Sequence, residues 1–446
     1  MGAFLEGLRA GTWVSRERIR LIALAVLFAS VVGLGFILAT SNGLNDYQGR
    51  PLGTDFSNVY AAGTYVLEGN AAAPFDLPSQ FAREKQIFGD NTQFYGWHYP
   101  PFFLFVAALL ALMPYALALA VWQGATFGIY LFAIKMITSS WPGLSRPSTS
   151  FFGIHGQDVD ARRHQGVYAR LRRAMAGHDG LWLLLAVAFP AVFVNIGHGH
   201  NGFLTAALIG LALVQLNARP ALAGVLFGLL AYKPQFGLLI PLALVAGGYW
   251  RSFAAAAATV VALAAVTTLA FGTDIWNAFL ASTHFTRVVV LEQGDTGWHK
   301  IQSIFSWTRM WGGSIPLAYA VQGAATLALA AGVLWLWRSE ASFNLKAAAL
   351  VIGAILATPY SLDYDFVILA PAIAFLVIDG LQRGFLSWEK SAVALLWFMP
   401  LVARSVAQQA LMPLGVIAML ILFVLILRRA AHDLGFRVGR MTKSLP

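Results

Sequence analysis

A chain of 446 residues that is 58% hydrophobic and only 11% charged has too few polar side chains to wrap itself as one soluble globule, so much of its surface must meet lipid. Its formal charge of +10 is carried by short segments between apolar runs, which is the pattern of membrane orientation and not of nucleic-acid binding. With no cysteine, disulfides, cysteine metal sites and thiol nucleophiles are excluded.

The first apolar run, residues 21–39, follows Arg9, Arg16, Arg18 and Arg20 and is about as long as the ~20 residues that cross a bilayer. It reads as a retained anchor, since a secretory signal has a shorter apolar core and a clear small-residue cleavage site. Residues 40–100 then form a first outer loop, with Asp46, Asp55, Glu68, Asp76, Glu84 and Asp90 against Arg50, Arg83 and Lys85. Amphipathic stretches at 59–67 and 79–87 predict helices lying on the membrane surface. Residues 101–113 are apolar but short, begin at Pro-Pro and end at Pro114, which predicts a re-entrant or interfacial helix.

Further apolar runs follow at 115–137, 181–195, 202–216, 219–232, 236–250, 252–272, 316–337, 345–358, 364–380, 389–403 and 411–427. With the first, the expectation is an all-α polytopic protein of about twelve spans, one integral-membrane domain over residues 1–446. A basic inner loop at 138–180, with Arg162, Arg163, Arg170, Arg172 and Arg173, reads as a solvated tether touching lipid headgroups. A second long outer loop covers 273–315. On this scheme eight of the 30 basic residues face outward: Arg50, Arg83, Lys85, Lys233, Arg287, Lys300, Arg309 and Arg404. The remaining 22 face the cytoplasm together with both termini, as the positive-inside rule requires of a cell inner-membrane protein. The outward cations are candidates for anion binding.

Polar motifs gather at the outer ends of the spans: Asp55 in GTDFSNVY, His98 in YGWHYPPF, His198, His200 and Asn201 in GHGHN, Lys233 in AYKPQF, and Asp363 to Asp365 in PYSLDYDF. Ionisable groups at membrane depth are costly unless paired or facing a wet cavity, so their recurrence on one side suggests a site. Each has a plainer reading. Asp55 suits a helix cap or turn, Lys233 could snorkel to the interface, and Asp363 with Asp365 could cap a helix beginning near Tyr364. His198 and His200 lack a carboxylate at standard metal spacing, so no metal is expected. Tyr95, Trp97 and Tyr99 could be interfacial aromatics.

Taken in order, these motifs resemble glycosyltransferase family 87, polytopic enzymes of the GT-C superfamily that use polyprenyl-phosphate sugars. The resemblance rests on Asp55-Phe56 with Tyr60 and Gly69, on Tyr99-Pro100-Pro101, on the turn ending in Asn201, on Gly224 to Gly228 followed by Lys233-Pro234, and on Pro359-Tyr360 with Asp363 and Tyr364. One departure is visible: the family often has Gln where this chain has His200. The resemblance implies a GT-C fold with surface helices over a cavity and Asp55 near the reaction centre as general base. Lys233, His98, His198 and His200 would then hold the donor phosphate. Tyr60, Tyr99, Asn201, Asp363, Tyr364 and Asp365 would bind sugar or acceptor. The partners expected are a polyprenyl-phosphate sugar, mannose by family default, an envelope glycolipid or glycan acceptor, and membrane lipids, with no cofactor and no nucleic acid. The alternative class is a transporter of an anionic or lipid-linked solute, against which stand the lack of an evident repeat and the collection of polar motifs at one interface.

Overall fold

The computed structural model describes residues 2–139 and 180–443, which form helices joined by turns and isolated bridges, without a β-strand. In chain order the helices are α1 (Gly2–Ala10), α2 (Arg16–Ala39), α3 (Thr54–Leu67), α4 (Leu77–Phe88), α5 (Leu104–Ala111), α6 (Tyr115–Ser139) and α7 (Gly180–Val187). Then come α8 (Pro190–His198), α9 (Gly202–Gln215), α10 (Pro220–Leu229), α11 (Ile240–Ala246), α12 (Trp250–Phe271), α13 (Asp274–Phe285) and α14 (Ile304–Met310). The last six are α15 (Ile315–Arg338), α16 (Phe343–Leu356), α17 (Leu369–Arg383), α18 (Glu389–Phe398), α19 (Ala403–Ala410) and α20 (Leu414–Lys443). Their starts are written locally. Ser15, Asp76, Ser314 and Ser342 accept a backbone N–H at the N-termini of α2, α4, α15 and α16, and Pro78 and Pro316 occupy the first turns of α4 and α15.

A helix stands at each of the twelve predicted runs, but the twelve-span count is not confirmed. Among the described residues six helices are long and apolar enough to cross a membrane, or up to eight if α7 with α8, bent by 46°, and Glu389–Leu401 with α19, bent by 77°, each make one span. The segments Gly202–Gln215, Pro220–Tyr232, Pro234–Ala246 and Phe343–Leu356 are shorter apolar helices, as is Pro101–Ala111. Prolines set these lengths: Pro220 and Pro234 each begin a new helical stretch and bar the preceding helix from running on. The basic residues 162, 163, 170, 172 and 173 lie outside the described residues.

Burial separates centre from rim. In the most apolar 18 residues of the stretch Asp363–Arg383, which contains α17, 83% are covered by protein, against 11% and 6% in the corresponding windows of α2 and α12, which leave their apolar faces outward. Helix α16, buried from Ala347 to Leu356, packs on α17, and the two form the middle of the bundle. Both helices expected between residues 40 and 100 form, but α3 starts earlier than predicted and is not merely laid on a surface. Its Phe56, Ser57, Asn58, Val59, Ala61, Ala62 and Gly63 are buried, and it crosses α5 so closely that a Cβ on Gly63 would stand 2.1 Å from the Ala107 carbonyl oxygen. Gly224 and Gly228 allow the same close approach of α10 to α12.

The two ends of α17 carry different chemistry. At its C-terminal end Asp379, Arg383, Glu389, Arg429 and Asp433 form a closed ionic network that ties α17, α18 and α20 together. Beyond its N-terminal end lie Asp363 and Asp365.

Candidate functional site

Four turns converge there. Asp55 lies in the first turn of α3, where the partial positive charge of the helix terminus favours a carboxylate. The N-cap of that helix is Gly53, in a left-handed conformation, so Asp55 is not the cap. The α8–α9 turn bears His198, His200 and Asn201 and reverses at Gly199, whose φ of 63° suits glycine. Asn195 holds that turn shut: its amide donates to the His200 carbonyl at 3.0 Å and accepts from the Gly202 N–H at 2.9 Å. Lys233 sits in the break after Tyr232, and Asp363 to Asp365 form a 3-10 turn before α17.

Two cation–carboxylate pairs organise the cluster. Lys233 Nζ lies 2.5 Å from Asp365 Oδ1 and 3.3 Å from His200 Nε2, all three residues being buried. The Tyr364 ring stacks on His200 at 3.7 Å between centroids, and the Tyr99 hydroxyl is 3.4 Å from the same Nε2. The second pair is Arg404 on α19, whose guanidinium grips both oxygens of Asp363 and reaches His198 Nε2 at 3.3 Å. Because Lys233 and Arg404 can only donate, the network assigns the lone pair of each histidine to Nε2 and its proton to Nδ1. His198 Nδ1 then meets the Thr54 hydroxyl at 2.8 Å and Asp55 Oδ2 at 3.4 Å.

Asp55 is the third carboxylate, and the two others treat it as a like charge. Burial pushes its pKa up to about 7, with Asp363 and Asp365 adding to the rise and Lys233 and Arg404 opposing it. Four buried polar atoms of the cluster have no hydrogen-bond partner: Asp55 Oδ2, His200 Nδ1, Asn201 Oδ1 and Ser361 Oγ. Since buried polar groups are otherwise paired, these mark where a polar ligand would complete the set. Among the described residues no three His, Asp or Glu side chains form a metal-ligand group; Asp363 and Asp365 face Arg404 and Lys233 instead.

The structure thus brings together Asp55, His198, His200, Lys233, Asp363, Tyr364, Asp365, Tyr99 and Asn201. It does not bring in Tyr60, whose hydroxyl donates to the Met113 carbonyl at 2.9 Å beside Phe56 and Tyr115, supporting α3 from outside the cluster. His98 also points elsewhere, its Nδ1 2.8 Å from Thr286 Oγ1 and its ring parallel to Phe285 across 6.5 Å. Asp365 has a capping role as well, accepting the Leu362 N–H at 3.1 Å. Of the eight cations expected to face outward, Arg50, Arg83 and Arg309 serve their own loops through Asp46, Glu68 and the carbonyls of Gly313 and Glu292.

Four contributors, Arg404, Asn195, Thr54 and Lys300, were not singled out as site residues from sequence. Arg404 stood only among those eight, and Asn195 and Thr54 carried no signal apart from the neighbouring motif. Lys300 joins through a backbone bridge: its carbonyl accepts the Asp363 N–H at 3.1 Å, and the Gln302 N–H donates to the Ser361 carbonyl at 2.6 Å. A model described as "Glycosyltransferase family 87" matches residues 97–359, more than half of the chain and inclusive of His98, His198, His200 and Lys233. No curated protein and no solved structure matches the chain.

Proposed function

This chain belongs to glycosyltransferase family 87 and is a membrane glycosyltransferase, and from that premise we propose that it moves a sugar, by family resemblance mannose, from a polyprenyl phosphate to a hydroxyl of an envelope glycolipid or glycan on the extracytoplasmic face. Asp55 is the general base. As the acceptor oxygen bonds to the anomeric carbon, its proton passes to the Asp55 carboxylate. The bond from that carbon to the phosphate oxygen breaks, and its electron pair leaves with the polyprenyl phosphate. Lys233 and Arg404, each steered by its carboxylate and its histidine, face the charge that develops there. Asp363, Tyr364, Asp365, Tyr99 and Asn201 hold sugar hydroxyls.

One observation carries this reading: of the three clustered carboxylates, Asp363 and Asp365 are ion-paired with Arg404 and Lys233, while Asp55 has only His198 beside it and keeps an oxygen without a hydrogen bond. A base must have a free lone pair and a pKa near working pH, and Asp55, at about 7, has both. The donor class is tested with protein in nanodiscs and a membrane glycolipid extract as acceptor. Mass spectrometry is expected to show addition of one hexose from a polyprenyl-phosphate sugar and none from a nucleotide sugar. Transfer from the nucleotide sugar alone contradicts the proposal.

A further inference from the structure

Ion pairs neutralise three cations in and around the cluster: Lys233 with Asp365, Arg404 with Asp363, and Arg50 with Asp46. Lys300 is the exception. It is half-buried, and among the described residues its ammonium has neither a hydrogen bond nor an ion pair. Its place is fixed by the backbone instead. The Lys300 carbonyl accepts the Asp363 N–H at 3.1 Å, and the Gln302 N–H donates to the Ser361 carbonyl at 2.6 Å, on either side of the antiparallel bridge between Ile301 and Leu362. Side chains alternate across such a pairing, so Lys300, Gln302, Ser361 and Asp363 share one face and Ile301 and Leu362 the other. Ile301 accordingly packs with Leu291, Phe305 and Ala318.

Two further observations point the same way. The groups that act on the Lys300 ammonium are those of the cluster: burial and Arg404 lower its pKa, Asp363 and Asp55 raise it, and Arg50 lowers it again. On the same face of the bridge the Ser361 hydroxyl is fully buried and has no hydrogen-bond partner, a state that a ligand oxygen would relieve. The reaction adds a requirement of charge. Transfer moves one negative charge from Asp55 to the phosphate: the carboxylate takes the acceptor's proton, while the electron pair of the breaking carbon–oxygen bond turns a phosphodiester monoanion into a phosphomonoester dianion. A cation already matched by a carboxylate offers directed N–H groups but little net charge. Lys300 offers both.

We propose that Lys300, with the Ser361 hydroxyl beside it, binds the phosphate of the donor and of the departing polyprenyl phosphate, as the unneutralised cation of the site. The inference rests on the transferase reading above for the identity of the anion, and its binding component can be measured without any transfer.

The test titrates protein in nanodiscs with farnesyl phosphate, the leaving group on a short chain, and with farnesol, the same chain without its phosphate. Lys300→Gln is expected to weaken farnesyl phosphate binding about tenfold or more and to leave farnesol binding unchanged. Lys300→Arg keeps the charge and should stay within about threefold of the parent. Ser361→Ala removes only the unpaired hydroxyl and is expected to weaken farnesyl phosphate about two- to tenfold. Lys85 on α4, whose ammonium stands over the Phe81 ring at 4.3 Å, serves as the control for bulk charge, and Lys85→Gln should bind as the parent does. Thermal unfolding of each variant is checked against the parent. Farnesyl phosphate affinity unchanged in Lys300→Gln, or lowered as much in Lys85→Gln, overturns the proposal. A Lys300-dependent farnesyl phosphate site in a protein that transfers no hexose from any polyprenyl-phosphate sugar would keep the anion site and remove the transferase reading.

Discussion

At the scale of the residue, the account turns on how three carboxylates in one cluster come to differ. Lys233 and Asp365 stabilise each other in a place where either alone would be an uncompensated buried charge. Lys233→Ala is expected to weaken donor binding by about 1.5 to 3 kcal/mol through loss of a charge-assisted contact, and also to lower thermal stability by stranding Asp365. Adding Asp365→Asn should restore the unfolding temperature without restoring donor affinity; donor binding unchanged in Lys233→Ala would make the lysine purely structural. Asp55 has a stability consequence of its own. A carboxyl whose folded pKa, about 7, exceeds its ordinary unfolded value of 3.8 contributes fully to stability below that ordinary value and loses the contribution as pH rises through about 7. Asp55→Asn should therefore gain on the parent in unfolding temperature between about pH 4 and about pH 8, and a difference that does not change with pH would show that the carboxyl is not held up. The motifs around Asp55, His198, His200, Lys233 and Asp363 were legible because ionisable residues are rare in an apolar chain. Arg404 was not, since nothing local distinguishes it from a cation that marks a loop.

At the scale of the element, apolar runs placed the helices well and their lengths poorly. Proline and glycine signals at 220, 234 and 199 say where a helix must stop, but they do not say whether the stump crosses a membrane alone. The 77° bend before α19 was invisible in the run 389–403, because the turn that carries Arg404 back to Asp363 is settled by tertiary contact. The backbone bridge between Ile301 and Leu362 joins segments about sixty residues apart and has no local signature. The placement of Asp55 depends on the α3–α5 crossing. Gly63→Val would press a side chain into the Ala107 carbonyl and is expected to destabilise by about 1 to 3 kcal/mol. Activity should fall along with the unfolding temperature, whereas a Gly63→Val protein with the parent's stability would mean that the crossing is looser than drawn.

At the scale of the whole molecule, orientation rests on charge. The cluster of Asp55, Lys233 and Asp365 and the network of Asp379, Arg383 and Arg429 lie toward opposite ends of the Asp363–Arg383 stretch, and the basic excess of the predicted inner set implies that the second end is cytoplasmic. Since the chain has no cysteine, single thiols at the exposed positions Gln48 and Arg219 report sidedness directly. An impermeant reagent on intact cells should label Gln48→Cys and spare Arg219→Cys. Ser361, in the motif expected outside, is fully buried and unsuited to this purpose.

The central claim is that Asp55 takes the acceptor's proton, and single-turnover transfer from a polyprenyl-phosphate sugar, followed against pH in parent and Asp55→Asn, tests it most directly. The parent rate should rise with pH and level off above an apparent pKa of about 7. Asp55→Asn should keep donor affinity and fold, lose roughly 10² to 10⁴ in rate, and lose that pH limb. An Asp55→Asn protein that transfers at the parent's rate with the same pH limb would contradict the claim.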